Sequence, residues 1–187
     1  MESEQSDAVS SRWFGGSEGR NPEEVAFLNE LRRLAALWDV PDLNPDDHTS
    51  AEVILAPLLL GLDVPGVTAR RDNLQLAYWT GPESWLTGEW GTEYILDDHD
   101  GNSPECLTVR GVRASPEEFA SFAAGWMLRQ LQRPLVREDW LSGDVPHATR
   151  WRFTDTGHVL DRDGLSLRRL LRRQPDRVVA VRGGDLS

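Results

Sequence analysis

The chain of 187 residues contains no lysine, and all 20 of its basic residues are arginines. Arginine codons are rich in G and C, so this usage is typical of a GC-rich bacterial genome. The single cysteine, Cys106, excludes an internal disulfide and a metal site built from several cysteines. The longest apolar stretch, residues 53–62, is about half as long as a membrane-spanning helix, so we do not expect a membrane protein.

Motifs of common catalytic and cofactor-binding sites are also missing. The chain has no Gly-x-Ser-x-Gly elbow and no His-Glu-x-x-His pair, and its Gly-rich residues 15–19 lack the preceding strand that a phosphate-binding loop requires. We therefore predict no catalytic residues, no cofactor and no bound metal. The first seven residues lack the basic and apolar segments of a secretory signal, which favours a cytoplasmic location.

Acidic residues exceed basic ones by 31 to 20, which gives a net charge of -11. The excess is uneven: residues 1–149 carry 26 acids and 11 arginines, whereas residues 150–187 carry 9 arginines and 5 acids. A negative body repels nucleic-acid phosphates and anionic lipids, and it attracts basic surfaces. The charge therefore favours a basic protein partner and disfavours membranes and general nucleic-acid binding.

The composition divides the chain into a tail and one domain. Residues 1–20 are rich in Ser, Glu and Gly, so we predict a disordered tail in which only Trp13-Phe14 docks on the body. Residues 21–187 form the predicted single domain, with residues 150–187 as its basic C-terminal segment. The sequence makes no prediction of oligomeric state.

Two helices have clear start signals. Asn21 followed by Pro22 predicts an N-terminal helix, and Ser115 with Glu118 forms a capping box that predicts a long helix from Pro116 to about residue 132. Residues 51–62 are apolar throughout and fit a helix or a buried strand. We favour a short helix there, because proline is hard to place in a central strand.

Strand patterns occupy most of the remainder. Aromatic and β-branched segments at residues 74–79, 89–96 and 107–112 predict an antiparallel meander. Further strands are predicted at 135–140, 150–154, 158–160 and 177–181, with a short basic helix at 165–173. The predicted fold is therefore α+β: an antiparallel β-sheet with one long helix packed on a face, an N-terminal helical segment and a flexible N-terminus.

The order β-β-β-α-β, ending in Arg137-Glu138-Asp139-Trp140, resembles the layout of small bacterial toxin-immunity proteins. The resemblance is one of layout alone and assigns no family, because shared layout does not establish shared function. It implies a protein that neutralises a toxin by binding to it.

Tryptophan is unusually frequent, with eight residues in the chain. Most are expected in the core, but Trp85 lies in a predicted loop, residues 81–85, and is expected to be exposed. Because exposed tryptophans anchor many interfaces, we predict a non-enzymatic, cytoplasmic interaction protein whose acidic body binds a basic partner. The predicted partner-binding residues are Trp85, Trp90, Asp97, Asp98 and Asp100.

Two other functions remain open from the sequence. A DNA-associated regulator would contact phosphates through the basic C-terminal helix. A metal-dependent or small-molecule enzyme would use His99 and its neighbouring carboxylates. The nucleic-acid contacts in the first alternative would be Arg168, Arg169, Arg172 and Arg173.

Overall fold

The computed structural model describes residues 12–53, 56–67, 74–91, 103, 105–164 and 174–183. These residues adopt the mixed α and β architecture expected from the sequence, with antiparallel sheets and a long helix packed on one of them. The strands that follow the long helix build a second sheet of their own instead of extending the first.

The first sheet has six strands, which lie side by side in the order in which they occur along the chain. Its first two strands pair in parallel, and every other neighbouring pair is antiparallel. The strands are β1 (Gly15–Gly16), β2 (Thr49–Val53), β3 (Leu58–Leu62), β4 (Leu74–Trp79), β5 (Trp85–Trp90) and β6 (Leu107–Val109).

The predicted meander is confirmed as β4, β5 and β6, but its middle strand begins earlier than residue 89. β5 starts at Trp85, which pairs directly with Trp79 at the end of β4. The turn between them therefore comprises only residues 80–84. Aromatic residues at both ends of this turn pair across the strands, and such pairs stabilise a hairpin register.

The helix predicted at residues 51–62 is wrong, because this segment contributes β2 and β3 to an antiparallel pair. Alternate leucines of β3, Leu58, Leu60 and Leu62, are buried in the core. Pro57 immediately precedes β3, so its missing N–H removes no hydrogen bond from the strand pairing. Periodicity alone does not separate a short buried strand from a buried helix.

Three helices are described: α1 (Pro22–Ala35), α2 (Pro45–His48) and α3 (Pro116–Gln132). Both predicted start signals are confirmed, since Asn21 Oδ1 accepts from the Glu24 N–H at 2.9 Å and the capping box at Ser115 makes both of its bonds. α1 and α3 pack together on one face of the first sheet, where Phe27 stacks on Tyr78 with ring centroids 4.3 Å apart. Among the described residues, no helix has the length and apolar character needed to cross a membrane.

Residues 12–20, which the sequence assigned to the tail, lie against the body. Phe14 is fully buried, and Trp13 packs edge-on against Trp38, so the predicted docking of these two aromatics is confirmed. Arg32 of α1 donates to the backbone carbonyls of Trp13, Phe14 and Ser17. The buried phenyl ring and these hydrogen bonds offset the entropy of ordering the segment.

The second sheet has four strands: β7 (Leu135–Ser142), β8 (Val145–Phe153), β9 (Val159–Gly164) and β10 (Arg177–Arg182). They lie in the order β10-β7-β8-β9, and all three neighbouring pairs are antiparallel. The inner end of this sheet joins the main core through Leu135 and Phe153. The strands predicted in this part of the chain are confirmed.

Arg133, which follows the last residue of α3, connects the two sheets. Its guanidinium lies 3.7 Å above the ring of Phe153, pairs with Glu105 and donates twice to Asp155, at 2.9 and 3.0 Å. These bonds lower the pKa of Asp155.

Arg182 donates to the backbone carbonyl of Arg133. Burial, together with the charge of Arg133, lowers the pKa of Arg182 to about 10.

Two adjacent carboxylates of β7 are buried and paired with arginines. Glu138 accepts from Arg150 and Arg152 of the neighbouring strand β8. Asp139, which is fully buried, accepts from Arg177 of β10 at 2.6 Å. Because each charge already has its partners, we assign these clusters to the stability of the second sheet.

Candidate functional site

Two tryptophans stack on the outer face of the first sheet. Trp79 and Trp85 oppose each other on β4 and β5, with ring centroids 4.8 Å apart and planes inclined by only 5°. Tyr78, the residue before Trp79, points inward onto Phe27 of α1. Since successive strand residues face opposite ways, the two indoles lie on the face away from the helices. Both side chains are partly exposed.

Arg110 extends this stack. Leu86 pairs with Val109, so the next position outward brings residue 110 beside Trp85. The Arg110 guanidinium lies 3.7 Å from the centroid of the Trp85 ring, which is a cation–π contact. We call Trp79, Trp85 and Arg110 the Trp–Arg stack. Arg110 is exposed and, in the described structure, forms no hydrogen bond or ion pair.

An open depression of about 400 Å³ lies between the start of α1 and the β4–β5 turn, which also connects Trp79 to Trp85. Asn21 Nδ2 donates to Thr80 Oγ1 at 3.1 Å and ties the two elements together. Asn21 therefore both caps α1 and positions the turn. The depression is lined by Asn21, Pro22, Glu23, Thr80 and Gly81.

Carboxylates give a negative charge to the end of the first sheet that carries the β4–β5 turn. Burial raises the pKa of Tyr78 to about 12, and the charges of Glu23, Glu117 and Glu24 act in the same direction. Glu24 is buried and paired with Arg20 at 2.6 Å. Glu23 and Glu117, together with Glu83 in the turn, are exposed and take part in none of the described ion pairs. Their negative charge is therefore available to a partner.

Trp90, predicted to share a site with Trp85, lies on the other face of the sheet. Its indole N–H donates to Gln130 Oε1 at 3.0 Å, and its ring packs edge-on against Phe153. Trp85 and Trp90 are five positions apart along β5. Because residues an odd number of positions apart on a strand face opposite ways, the structure separates these two predicted site residues. Trp90 stabilises the contact between the sheets.

The other predicted site residues lie outside the described part of the chain. This holds for the acidic partner-binding residues, for His99 and for the arginines of the nucleic-acid alternative. Within the described ranges, no group of three histidine, cysteine or acidic side chains is placed to hold a metal ion. The residues outside are Asp97, Asp98, His99, Asp100, Arg168, Arg169, Arg172 and Arg173.

Sequence reasoning found Trp85 and missed the two residues that stack with it. Trp79 could have been found, because two tryptophans flanking a five-residue Gly-Pro turn indicate a cross-strand pair. Arg110 carries no comparable signal, since its place depends on the register between β5 and β6. Comparisons of the chain with protein-family models, with curated proteins and with solved structures find no match.

Proposed function

We propose that this chain is a non-enzymatic, cytoplasmic interaction protein that binds a basic protein partner at the Trp–Arg stack and at the acidic depression beside the β4–β5 turn. The observation that carries the proposal is the partly exposed, face-to-face pair of Trp79 and Trp85, connected by a turn in which Glu83 takes part in none of the described ion pairs. A basic toxin that is neutralised when its surface is covered belongs to this class of partner.

The aromatic part of the surface supplies the anchor. Tryptophan is the residue most enriched among those that dominate binding energy, because it buries a large rigid area at low entropic cost. The stacking partner Trp79 holds the Trp85 ring in one orientation before binding. A partner side chain that covers the two indoles therefore gains contact area without ordering them first.

The acidic part supplies direction and selectivity. Glu23 lines the depression, and Glu83 stands in the turn that connects the two tryptophans. A lysine or arginine of the partner that enters the depression would meet Glu23 beside the polar atoms of Asn21 and Thr80. The net charge of -11 speeds the approach of a basic protein and repels nucleic acid.

The proposal is tested by using the tagged protein as bait in a lysate of its source organism, followed by titration of any purified partner at two salt concentrations. Trp85→Ala should weaken binding about tenfold or more, as expected for a central anchor. Glu23→Gln combined with Glu83→Gln should weaken it about fivefold, mainly at low salt.

Asp144→Asn is the matched charge control, because Asp144 is an exposed acid in the turn between β7 and β8 of the second sheet. It should leave the affinity close to that of the wild type. Equal affinity of all variants for the same partner, or retention of nucleic acid alone, would overturn the proposal.

A further inference from the structure

We propose that Arg110 binds a carboxylate of the partner, so that the site recognises one acidic residue within an otherwise basic surface. The inference rests on the proposed function and names a second chemical feature of the partner. Its basis is that the Arg110 guanidinium lies against the Trp85 ring while no described residue accepts a hydrogen bond from it.

Arg110 differs in this respect from the other described arginines. Most of them are committed to ion pairs, and Arg182 donates to backbone carbonyls. Arg113 and Arg129 are exposed and unpaired like Arg110, but neither lies over an aromatic ring among the described contacts. The arginines in described ion pairs are Arg12, Arg20, Arg32, Arg33, Arg133, Arg137, Arg150, Arg152 and Arg177.

Contact with an aromatic ring fixes the orientation of a guanidinium and leaves its donors free to bind a carboxylate. When an aromatic ring lies against one flat face of a guanidinium, the five N–H donors of the group point outward in its plane. A carboxylate can then accept two parallel hydrogen bonds at the edge without disturbing the stack. Since the Trp79–Trp85 pair already restricts the guanidinium, less conformational freedom is lost when the carboxylate binds.

The surrounding charge favours a carboxylate over a phosphate group. The charges of Glu23 and Glu117 act on Tyr78 of β4, and Glu83 stands in the turn that follows β4, so this end of the sheet disfavours anions. The repulsion scales with the charge of the anion, so a doubly charged phosphate is disfavoured more than a singly charged carboxylate. A protein side chain, aspartate or glutamate, is therefore the ligand that this arginine fits.

The first test uses the full chain labelled with 5-fluorotryptophan, with the Trp85 signal in the ¹⁹F NMR spectrum assigned from Trp85→Phe. Sodium acetate replaces sodium chloride at constant ionic strength, and inorganic phosphate is titrated in parallel. Acetate should shift the Trp85 signal, and the shift should fall at least about fivefold in Arg110→Gln, because the charged donors are gone. Arg110→Lys should give an intermediate shift, since lysine keeps the charge and loses the planar fork.

Arg129→Gln is the matched control, because Arg129 of α3 is also exposed and takes part in no described ion pair or cation–π contact. It should respond to acetate as the wild type does. An unchanged response in Arg110→Gln, or a larger response to phosphate than to acetate, would overturn the inference. Neither result depends on the identity of a basic partner, so each is distinguishable from failure of the proposed function.

The second test uses the purified partner once it is known. Arg110→Gln should weaken binding about tenfold, as expected for a lost charged hydrogen-bond pair. Tighter binding by this variant would mean that Arg110 only covers Trp85 and is displaced by a cation of the partner. That outcome would overturn carboxylate binding by Arg110 while leaving the proposed function intact.

Discussion

The indole ring of Trp126 fills the space in which a side chain on Gly88 would begin. A β-carbon at residue 88 would lie 2.6 Å from Cζ3 and 2.8 Å from Cη2 of that ring. Gly88 is in the middle of β5, and Trp126 is in the second half of α3 and only 3% exposed. The missing side chain therefore sets how closely the long helix approaches the first sheet.

Gly88→Ala should lower the free energy of unfolding by about 1–3 kcal/mol, because the new methyl group meets a rigid ring and forces the helix outward. Urea denaturation measures this change. Gly125→Ala is the control within α3: its β-carbon would meet only the flexible end of Arg129, at 3.5 Å, so alanine should stabilise the helix by about 0.5–1 kcal/mol. The same loss in both variants would contradict the assigned contact.

Arg133→Met should destabilise the protein by about 3–5 kcal/mol, because Glu105 would remain buried without its cation. Equilibrium unfolding in urea provides the measurement. In the Arg133→Met background, Glu105→Gln should recover part of the loss, since the uncompensated charge is then removed. Further destabilisation by that second change would show that the pair contributes through packing and not through its charges.

Glu24 should make stability depend on pH. Burial raises its pKa, but the hydrogen bonds from Arg20 and Asn21 outweigh burial, so the pKa in the folded protein is lower than the ordinary value of 4.5. A carboxyl whose pKa is lowered by folding stabilises above its unfolded pKa and loses that contribution as the pH falls through the folded pKa. Glu24→Gln should cost about 1.5–3 kcal/mol at pH 7 and flatten the stability curve at acidic pH.

The pH experiment compares unfolding free energies between about pH 7 and pH 3, the interval that spans the ordinary glutamate pKa. Arg20→Gln removes the main cause of the lowered pKa and leaves the burial of Glu24 in place. Its stability deficit at pH 7 should shrink as the pH falls and Glu24 is protonated. A deficit that does not change with pH in either variant would rule out a contribution from the ion pair.

Phe14→Ala should cost about 3–5 kcal/mol, because the ring is fully buried between the N-terminal segment and the body. Hydrogen exchange of the Ser17 amide, which donates to Ala51 at 2.9 Å, should become faster as the segment detaches. Arg12→Ala serves as the control, since Arg12 forms an exposed ion pair that solvent and salt screen, so its removal should change stability little. Slow exchange at Ser17 in Phe14→Ala would show that Phe14 does not hold the segment.

Local signals explain why the helices could be predicted. Asn21 before Pro22 and Ser115 before Glu118 act through bonds to residues three positions away, so the sequence contains both partners of each bond. The leucines of residues 58–62 carry no such local partner. They become a strand because Tyr78 and Leu76 stand opposite them, and these residues are distant in the chain.

Part of the candidate site could be predicted from the sequence. The predicted loop at residues 81–85 indicated that Trp85 would be exposed, whereas the structure places it at the start of β5, partly exposed on the outer face. The same reasoning grouped Trp85 with Trp90, whereas five steps along an alternating strand place them on opposite faces. It could not assign Arg110, whose contact with Trp85 arises from pairing between β5 and β6.

The sequence by itself determined the starts of α1 and α3, the acidic excess and the α+β class, because each follows from neighbouring residues or from simple sums over the chain. The tertiary structure decided which strands share a sheet, which face each tryptophan occupies and which arginine lies over the Trp85 ring. Those features depend on strand register and on contacts between distant segments, where shifting the pairing by one residue sends a side chain to the opposite face.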